Sequence, residues 1–276
     1  MQSLEPYLNQ VTQGDCLEIM QYLPDQSIDL ILCDLPYGTT VNEWDKIIDF
    51  KELWLAYERL IKPKGVIALT GSAIFTAKLI MSNLILFKYK IVWIKSRSTN
   101  FLNAKKQPLR KHEDICIFYK NQPDYQPQMM PGEPYNKGWR KDQSTGCYGK
   151  YKPSNGLNVK GHRYPYDVLF IEEDPADDWF YCKTAENEDE SPVHPTQKPV
   201  ELGQYLIRTF TKPGDIVLDN ACGSGTFLVA AIIENRSFIG IEKNEGCYHQ
   251  KHKPIDLIQV ARDRIKREMA KRAADF

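Results

Sequence analysis

An α/β domain built on a mostly parallel sheet is what this 276-residue sequence predicts, and three observations predict it. Short, nearly continuous apolar runs of strand length recur along the chain, as parallel strands covered on both faces require. Segments with helical apolar spacing separate them. Strong breakers close two of those segments, Lys62-Pro63-Lys64-Gly65 and Lys212-Pro213-Gly214.

The elements follow in order. IDLILCD at 28–34 is a buried strand ending in a polar turn, and helical spacing runs from Trp44 to Ile61. A strand at 65–70 (GVIALT), a helix near 73–84, and strands at 88–95 (KYKIVWIK) and 114–119 (DICIFY) come next. From about 121 to 190 periodicity fades and Pro, Gly, Asn and Tyr accumulate. The early part of that stretch is basic and aromatic (Tyr135, Lys137, Trp139, Arg140, Lys160, Arg163), and residues 172–190 are acidic. A stretch this long inside a compact domain is functional or disordered, and its aromatic content argues against plain disorder. The alternation resumes with a helix from Pro199 to Phe210, a strand at 216–221 (IVLDNA), a helix at 226–235, a strand at 237–242 (SFIGIE) and a basic amphipathic helix from 255 to 273. For Arg262, Arg264, Lys266, Arg267, Lys271 and Arg272 on that last helix, a solvated face is expected.

Composition sets bounds. A hydrophobic share of 42% can fill one sizeable core, or one core with a small appended region. Lys and Arg total 36, as do Asp and Glu, so only a local basic face could argue for a nucleic-acid partner. No apolar run approaches bilayer length, and MQSLEPYLNQ lacks a signal-peptide layout, so no membrane and a cytoplasmic location are expected. The seven cysteines are odd in number, scattered and without a Cys-x-x-Cys pair, the usage of free thiols. Cys247, His249 and His252 lie close together but lack further partners at zinc spacing, so no metal is expected.

Two turns carry chemistry. Asp219-Asn220-Ala221-Cys222-Gly223-Ser224-Gly225-Thr226 joins a strand to a helix. Gly223 and Gly225 let the backbone turn tightly and let a ligand approach without Cβ clashes. Glu242, ending the next strand, is placed to accept ribose hydroxyls. Gly-x-Gly with a downstream acid also suits NAD and FAD enzymes, but the loop has no third glycine and an Asp precedes it, features that lean away from a dinucleotide.

The other turn, Asp34-Leu35-Pro36-Tyr37-Gly38, directly follows an apolar strand. Pro36 fixes its own φ and pushes Leu35 into an extended conformation, setting the Leu35 carbonyl beside the Asp34 carboxylate. Two adjacent acceptors suit an NH2 group, and Tyr37 offers a flat face to a base. An amine conjugated to an aromatic base is a poor nucleophile, and as it attacks an electrophilic carbon its nitrogen gains positive charge. Acceptors already aimed at its hydrogens stabilise that charge where it develops. An ordinary strand-ending turn has the same residue types.

In this order the motifs resemble the DNA amino-methyltransferases, specifically the permuted beta class whose catalytic turn precedes its cofactor loop. Asp34-Leu35-Pro36-Tyr37 resembles the family's Asp-Pro-Pro-Tyr, with Leu35 replacing the first proline. Asp219 through Thr226 matches its cofactor loop, with Asn220 and Ala221 where Pro and Phe are commoner. His194-Pro195-Thr196-Gln197-Lys198-Pro199 is similar to the segment that helps hold the methionine end of the cofactor, and Arg110-Lys111-His112-Glu113-Asp114, before a strand, to its His-Glu segment. The resemblance implies a Rossmann-like S-adenosylmethionine-dependent methyltransferase fold, a mostly parallel seven-stranded sheet with one antiparallel strand. Its halves would be 1–120 (catalytic) and 191–276 (cofactor-binding), around a target-recognition region at 121–190. The strands leading into Asp34 and Asp219 would be central neighbours.

The resemblance also implies roles. Asp34, Leu35, Pro36 and Tyr37 would be catalytic. S-adenosylmethionine would be held by Asp15 (against its adenine), Cys16, Asp34, His194, Thr196, Lys198, Asp219, Ala221, Gly223, Gly225, Thr226 and Glu242. The substrate would be duplex DNA with its target base flipped out, read through phosphate and base-edge contacts from 121–185. Asp rather than Ser at the head of the turn favours N6 of adenine over N4 of cytosine. An RNA or protein amine methyltransferase is disfavoured by the motif order, and carbon-5 cytosine methylation by the absence of a Pro-Cys dipeptide. Such enzymes also admit a second copy of the chain and a cognate restriction endonuclease as partners.

Overall fold

The structure, a computed structural model, describes residues 2–39, 45–140, 149, 154–169, 197–244, 248–250 and 253–274. It divides into two units, Met1–Gln126 with Asp167–Phe276, and Pro127–Tyr166. In chain order the first unit contributes β1 (Gln10–Gln13), α1 (Cys16–Met20), β2 (Ile28–Cys33), α2 (Phe50–Leu60), β3 (Ile61–Gly71), α3 (Ile74–Ser82), β4 (Phe87–Thr99) and β5 (Arg110–Phe118). The second holds β6 (Tyr135–Arg140) and β7 (Ser154–Asn158). The chain returns to the first with β8 (Val168–Leu169), α4 (Val200–Phe210), β9 (Ile216–Asp219), α5 (Thr226–Ile233), β10 (Ser237–Glu242), β11 (Tyr248–Gln250), β12 (Lys253–Ile255) and α6 (Leu257–Ala274).

Eight strands form one sheet in the order β1-β10-β9-β2-β3-β5-β4-β8. Every pairing is parallel except those of β5 with β3 and β4, so β5 alone runs against the rest. This is the mostly parallel Rossmann-like sheet the motifs imply. The strand beyond the expected seven is the two-residue β8 at the edge, too short for any periodicity to reveal.

Burial explains the strand sequences. Leu30 and Leu32 of β2 pack with α4 and α5 residues such as Leu206 and Leu228, while Ile31 and Cys33 pack on the opposite face with Leu53 and Tyr57 of α2. Both faces are covered, so alternation disappears and the run reads as continuously apolar. Helix α2 begins at Phe50 because the Asp49 side chain caps it, accepting the Glu52 N–H at 3.0 Å. The expected start at Trp44 lies outside the described residues, and 45–49 are not helical. Lys62-Pro63-Lys64-Gly65 falls inside the first residues of β3, where the register with β2 shifts, rather than between helix and strand. Proline is tolerated at such an irregularity because no ladder hydrogen bond is lost. Among the described residues no helix is long and apolar enough to cross a membrane.

The second unit is built on the antiparallel β6–β7 pair, extended by a bridge between Met130 and Arg163. The Tyr135 ring takes the Lys137 ammonium at 4.9 Å and the Arg163 guanidinium at 4.6 Å from its centroid. Trp139, Tyr164 and Tyr166 are exposed. The acidic residues 172–190 and the basic and aromatic residues 141, 148 and 150–152 lie outside the described residues.

Gly203 lets α4 and α5 approach, since a Cβ there would stand 2.8 Å from Ala230 Cβ and 2.9 Å from Phe227 Cδ1. Gly203→Val should cost about 1–3 kcal/mol by overpacking, read by chemical denaturation. Parental stability would contradict this helix contact.

Candidate active site

Parallel pairing of β2 with β9, Leu30 with Val217 and Ile31 with Leu218, brings Asp34 and Asp219 to the same edge of the sheet. Between these carboxyl ends lies a cavity of about 730 Å³, the crevice expected where strand order reverses and within the size range of small-molecule sites. Every expected site residue within the described set lines it, except Gly225. His194 and Thr196 lie outside the described residues.

The Asp34 carboxylate is held from three directions. Oδ1 accepts the Tyr37 hydroxyl at 2.8 Å and the Thr70 hydroxyl, and Oδ2 accepts the Lys198 ammonium at 2.7 Å. Lys198, 8% exposed, also reaches Glu113 Oε2 at 3.1 Å, and Glu113 Oε1 takes Lys95 at 3.1 Å. Burial opposes the Lys198 charge, yet Asp34 and Glu113 outweigh it and push its pKa up. Burial likewise opposes the charge on Glu113, and Lys198 with Lys95 pulls its pKa down. Around the bend, Asp45 accepts the N–H groups of Gly38 and Thr39 at 2.7 and 2.8 Å, with Gly38 at a φ of 65° that favours glycine.

The glycine loop is fixed just as closely. Glu242 accepts the Gly223 N–H at 2.8 Å and the Asn244 N–H at 2.9 Å. Gly223, at φ 51°, has nothing within 4 Å of where a Cβ would stand, so the cradle is open on its cavity side. Asp15 caps α1 through the Leu17 N–H at 2.9 Å and lies 3.5 Å from Lys243. Tyr57, fully buried, donates to Asn220 at 2.6 Å. Burial pushes the Asp219 carboxyl up to about 8; the Cys33 thiol and the Ala221 N–H act against this, Asp34 and Glu242 with it.

Several expectations change. Tyr37 is not a free platform: its hydroxyl is spent on Asp34, Phe75 stacks on its ring at 4.7 Å, and the Lys198 ammonium lies 5.6 Å from the ring centroid. Lys198, expected at the methionine end of the cofactor, is locked against the Asp34 turn. Gly225 serves a helix contact, because a Cβ there would meet Ala261 Cβ at 3.0 Å and its φ is 79°. Arg110 to Asp114 lie within β5 rather than before it. The solvated face of α6 fails for three arginines. Arg264 donates to Ser224 O at 2.9 Å and Thr226 Oγ1 at 3.0 Å, Arg262 to Val11 O at 2.9 Å, and Arg272 to Ile232 O. Thr70, Asp45 and Lys95 carried no motif signal.

With this geometry in hand, the chain matches the DNA methylase family over residues 28–253. It is 26% identical over 264 residues to the Type II methyltransferase M.BglII of Bacillus subtilis, an alignment covering 86% of this chain and 66% of that relative, so the chain spans about two thirds of its length. Its fold is similar to the M1.HpyAVI–SAM complex (TM-score 0.58, 23% identity, 93% and 98% of the two chains) and to the cytosine-N4-specific PvuII DNA methyltransferase (0.55, 17%, 94% and 92%). A DNA modification methylase from Thermus thermophilus complexed with S-adenosyl-L-methionine is similar too (0.55, 20%, 94% of each). The chain belongs to the DNA methylases of the N6-adenine and N4-cytosine type, a family of S-adenosylmethionine-dependent amino-methyltransferases.

Two outcomes test this site. Lys198→Met strands two carboxylates around an apolar tip and should cost about 3–5 kcal/mol. Adding Glu113→Gln should recover part of that loss in the same denaturation assay, and no recovery would contradict the shared ion pair. For Asp219, the unfolded carboxyl loses its proton near the ordinary value of 3.8 and the folded one near 8. The fold therefore binds the extra proton between those values, and this group's contribution to stability falls as pH rises through the window. Asp219→Asn should flatten that fall, checked by melting temperature across the range.

Proposed function

We propose that this chain transfers a methyl group from S-adenosylmethionine to N6 of an adenine flipped out of duplex DNA. The observation that carries the reading is the Asp34 carboxylate, held by Thr70, Tyr37 and Lys198 at the mouth of a cavity shared with the open Gly223 cradle. When bound, S-adenosylmethionine supplies a methyl carbon made electrophilic by its sulfonium.

The residues fit such a cofactor. Gly223 gives close backbone approach, and Glu242, with one N–H on each oxygen, keeps lone pairs for ribose hydroxyls. Asp15 and Cys16 line the same cavity on the adenine side, with Ala221 and Thr226 along the loop. At the other end, Oδ2 of Asp34 takes only the Lys198 ammonium and keeps a lone pair for one hydrogen of the target amine. The Leu35 carbonyl takes the other, and Pro36 holds that carbonyl in place. As nitrogen gains charge these acceptors already face it, so no reorganisation is needed. Asp34 is also the nearest base for the proton that nitrogen sheds.

The second unit, with Arg163, Lys137 and exposed Trp139, Tyr164 and Tyr166, supplies the basic and aromatic groups that reading DNA requires. The same reading places the protein in the cytoplasm and gives it a second copy of itself and a cognate restriction endonuclease as partners. N4 of cytosine is the second reading, favoured by the fold shared with the cytosine-N4-specific PvuII DNA methyltransferase. Asp34 at the head of the turn supports adenine.

Incubation with tritiated S-adenosylmethionine and separate duplex DNA, RNA and protein should label DNA, and digestion should return N6-methyladenine. Label confined to RNA or protein would defeat the proposal, and N4-methylcytosine would replace its target. Asp34→Ala should lower turnover by about 10²–10³ or more while cofactor binding persists.

A further inference from the structure

We propose that the loop between β4 and β5 is a wedge for the DNA base stack, with Phe101 and Leu102 entering the space a flipped base leaves. This rests on the duplex-DNA reading above. Strand β4 runs parallel to β2 and β3 because β5 reverses direction twice between them. Its carboxyl end therefore opens on the same edge as Asp34 and Asp219. Both ends of the loop stand on the cavity rim: Thr99 and Asn100 line the cavity on the way out, and Arg110 on the way back.

The tip is built to hold apolar side chains outward. Phe101–Asn103 form a single 3₁₀ turn entered through Asn100 at a φ of 72°. Ala104 N–H donates to Phe101 O at 3.1 Å, and Asn103 Nδ2 to Asn100 Oδ1 at 2.7 Å. On this fixed turn Phe101 is 76% exposed and its neighbour Leu102 84%. Water is the worst surrounding for two adjacent apolar groups, so a preformed turn that displays them implies an apolar partner.

Charge identifies that partner. Positions 97–111 hold five Lys or Arg and no Asp or Glu, in a chain whose total charge is zero. Lys105 and Lys106, both exposed, directly follow the turn. An apolar tip flanked by cations, at the mouth of a pocket that must receive an extruded base, matches a duplex. Its phosphates take the cations, and its base steps accept inserted Phe or Leu. A second copy of this chain would need no such one-sided charge.

The test compares two oligonucleotide duplexes carrying the motif that sequencing of methylated DNA identifies, one fully paired and one with the target base mispaired. Mispairing lowers the cost of flipping. Phe101→Ala/Leu102→Ala should slow methylation of the paired duplex at least tenfold, yet stay within about threefold of the parent on the mispaired one, with cofactor affinity unchanged. Lys105→Ala/Lys106→Ala should weaken binding to both duplexes alike and reduce its salt dependence. Parental rates on the paired duplex would overturn the wedge and leave the methyltransferase reading standing. So would an equal loss on both duplexes, including one accompanied by a change from dimer to monomer in sedimentation. A parent protein inactive on both duplexes would overturn the methyltransferase reading and the wedge with it.

Discussion

The Asp34–Lys198 contact is the constraint on which the rest of this site depends. A carboxylate at the end of a strand could rotate freely, and a freely rotating acceptor would have to be ordered in each reaction. Here Thr70 and Tyr37 take one oxygen and Lys198 the other. What remains is one direction of acceptance, set in advance. Such preorganisation is where electrostatic catalysis gains most, since the reacting nitrogen meets dipoles that need not move.

Burying that arrangement is costly, and the structure shows how the cost is met. A single ammonium between two carboxylates would lose more in desolvation than it gains in one poor contact. Lys198 instead makes two short contacts, and Glu113 makes a further one to Lys95. The alternating charges tie together Asp34 after β2, Lys95 on β4, Glu113 on β5 and Lys198 just before α4. Four separate chain segments are thereby held to one geometry around the turn.

Much of this was legible in the sequence, for reasons particular to each element. Strand β2 announced itself because both faces are apolar, and the glycine loop because only glycine suits the φ of Gly223 and Gly225. The adjacency of the Asp34 and Asp219 strands followed from motif order and family resemblance. What stayed hidden was long-range pairing. Nothing local marks Thr70 as a partner of Asp34, Lys198 as an anchor of the turn rather than of the cofactor, or Arg264 as a brace for the glycine loop. Tyr37 was misjudged for the same reason: its ring type was visible, but the Phe75 beneath it, 38 residues later, was not. The short β1, β8 and α1 lack enough residues for any period to emerge.

The most direct measurement is a crystal structure of the protein with S-adenosylmethionine bound. The account predicts the sulfonium methyl directed into the space beside Asp34 Oδ2 and the Leu35 carbonyl, with the ribose hydroxyls on Glu242. A donor methyl turned away from residues 34–37 would contradict it.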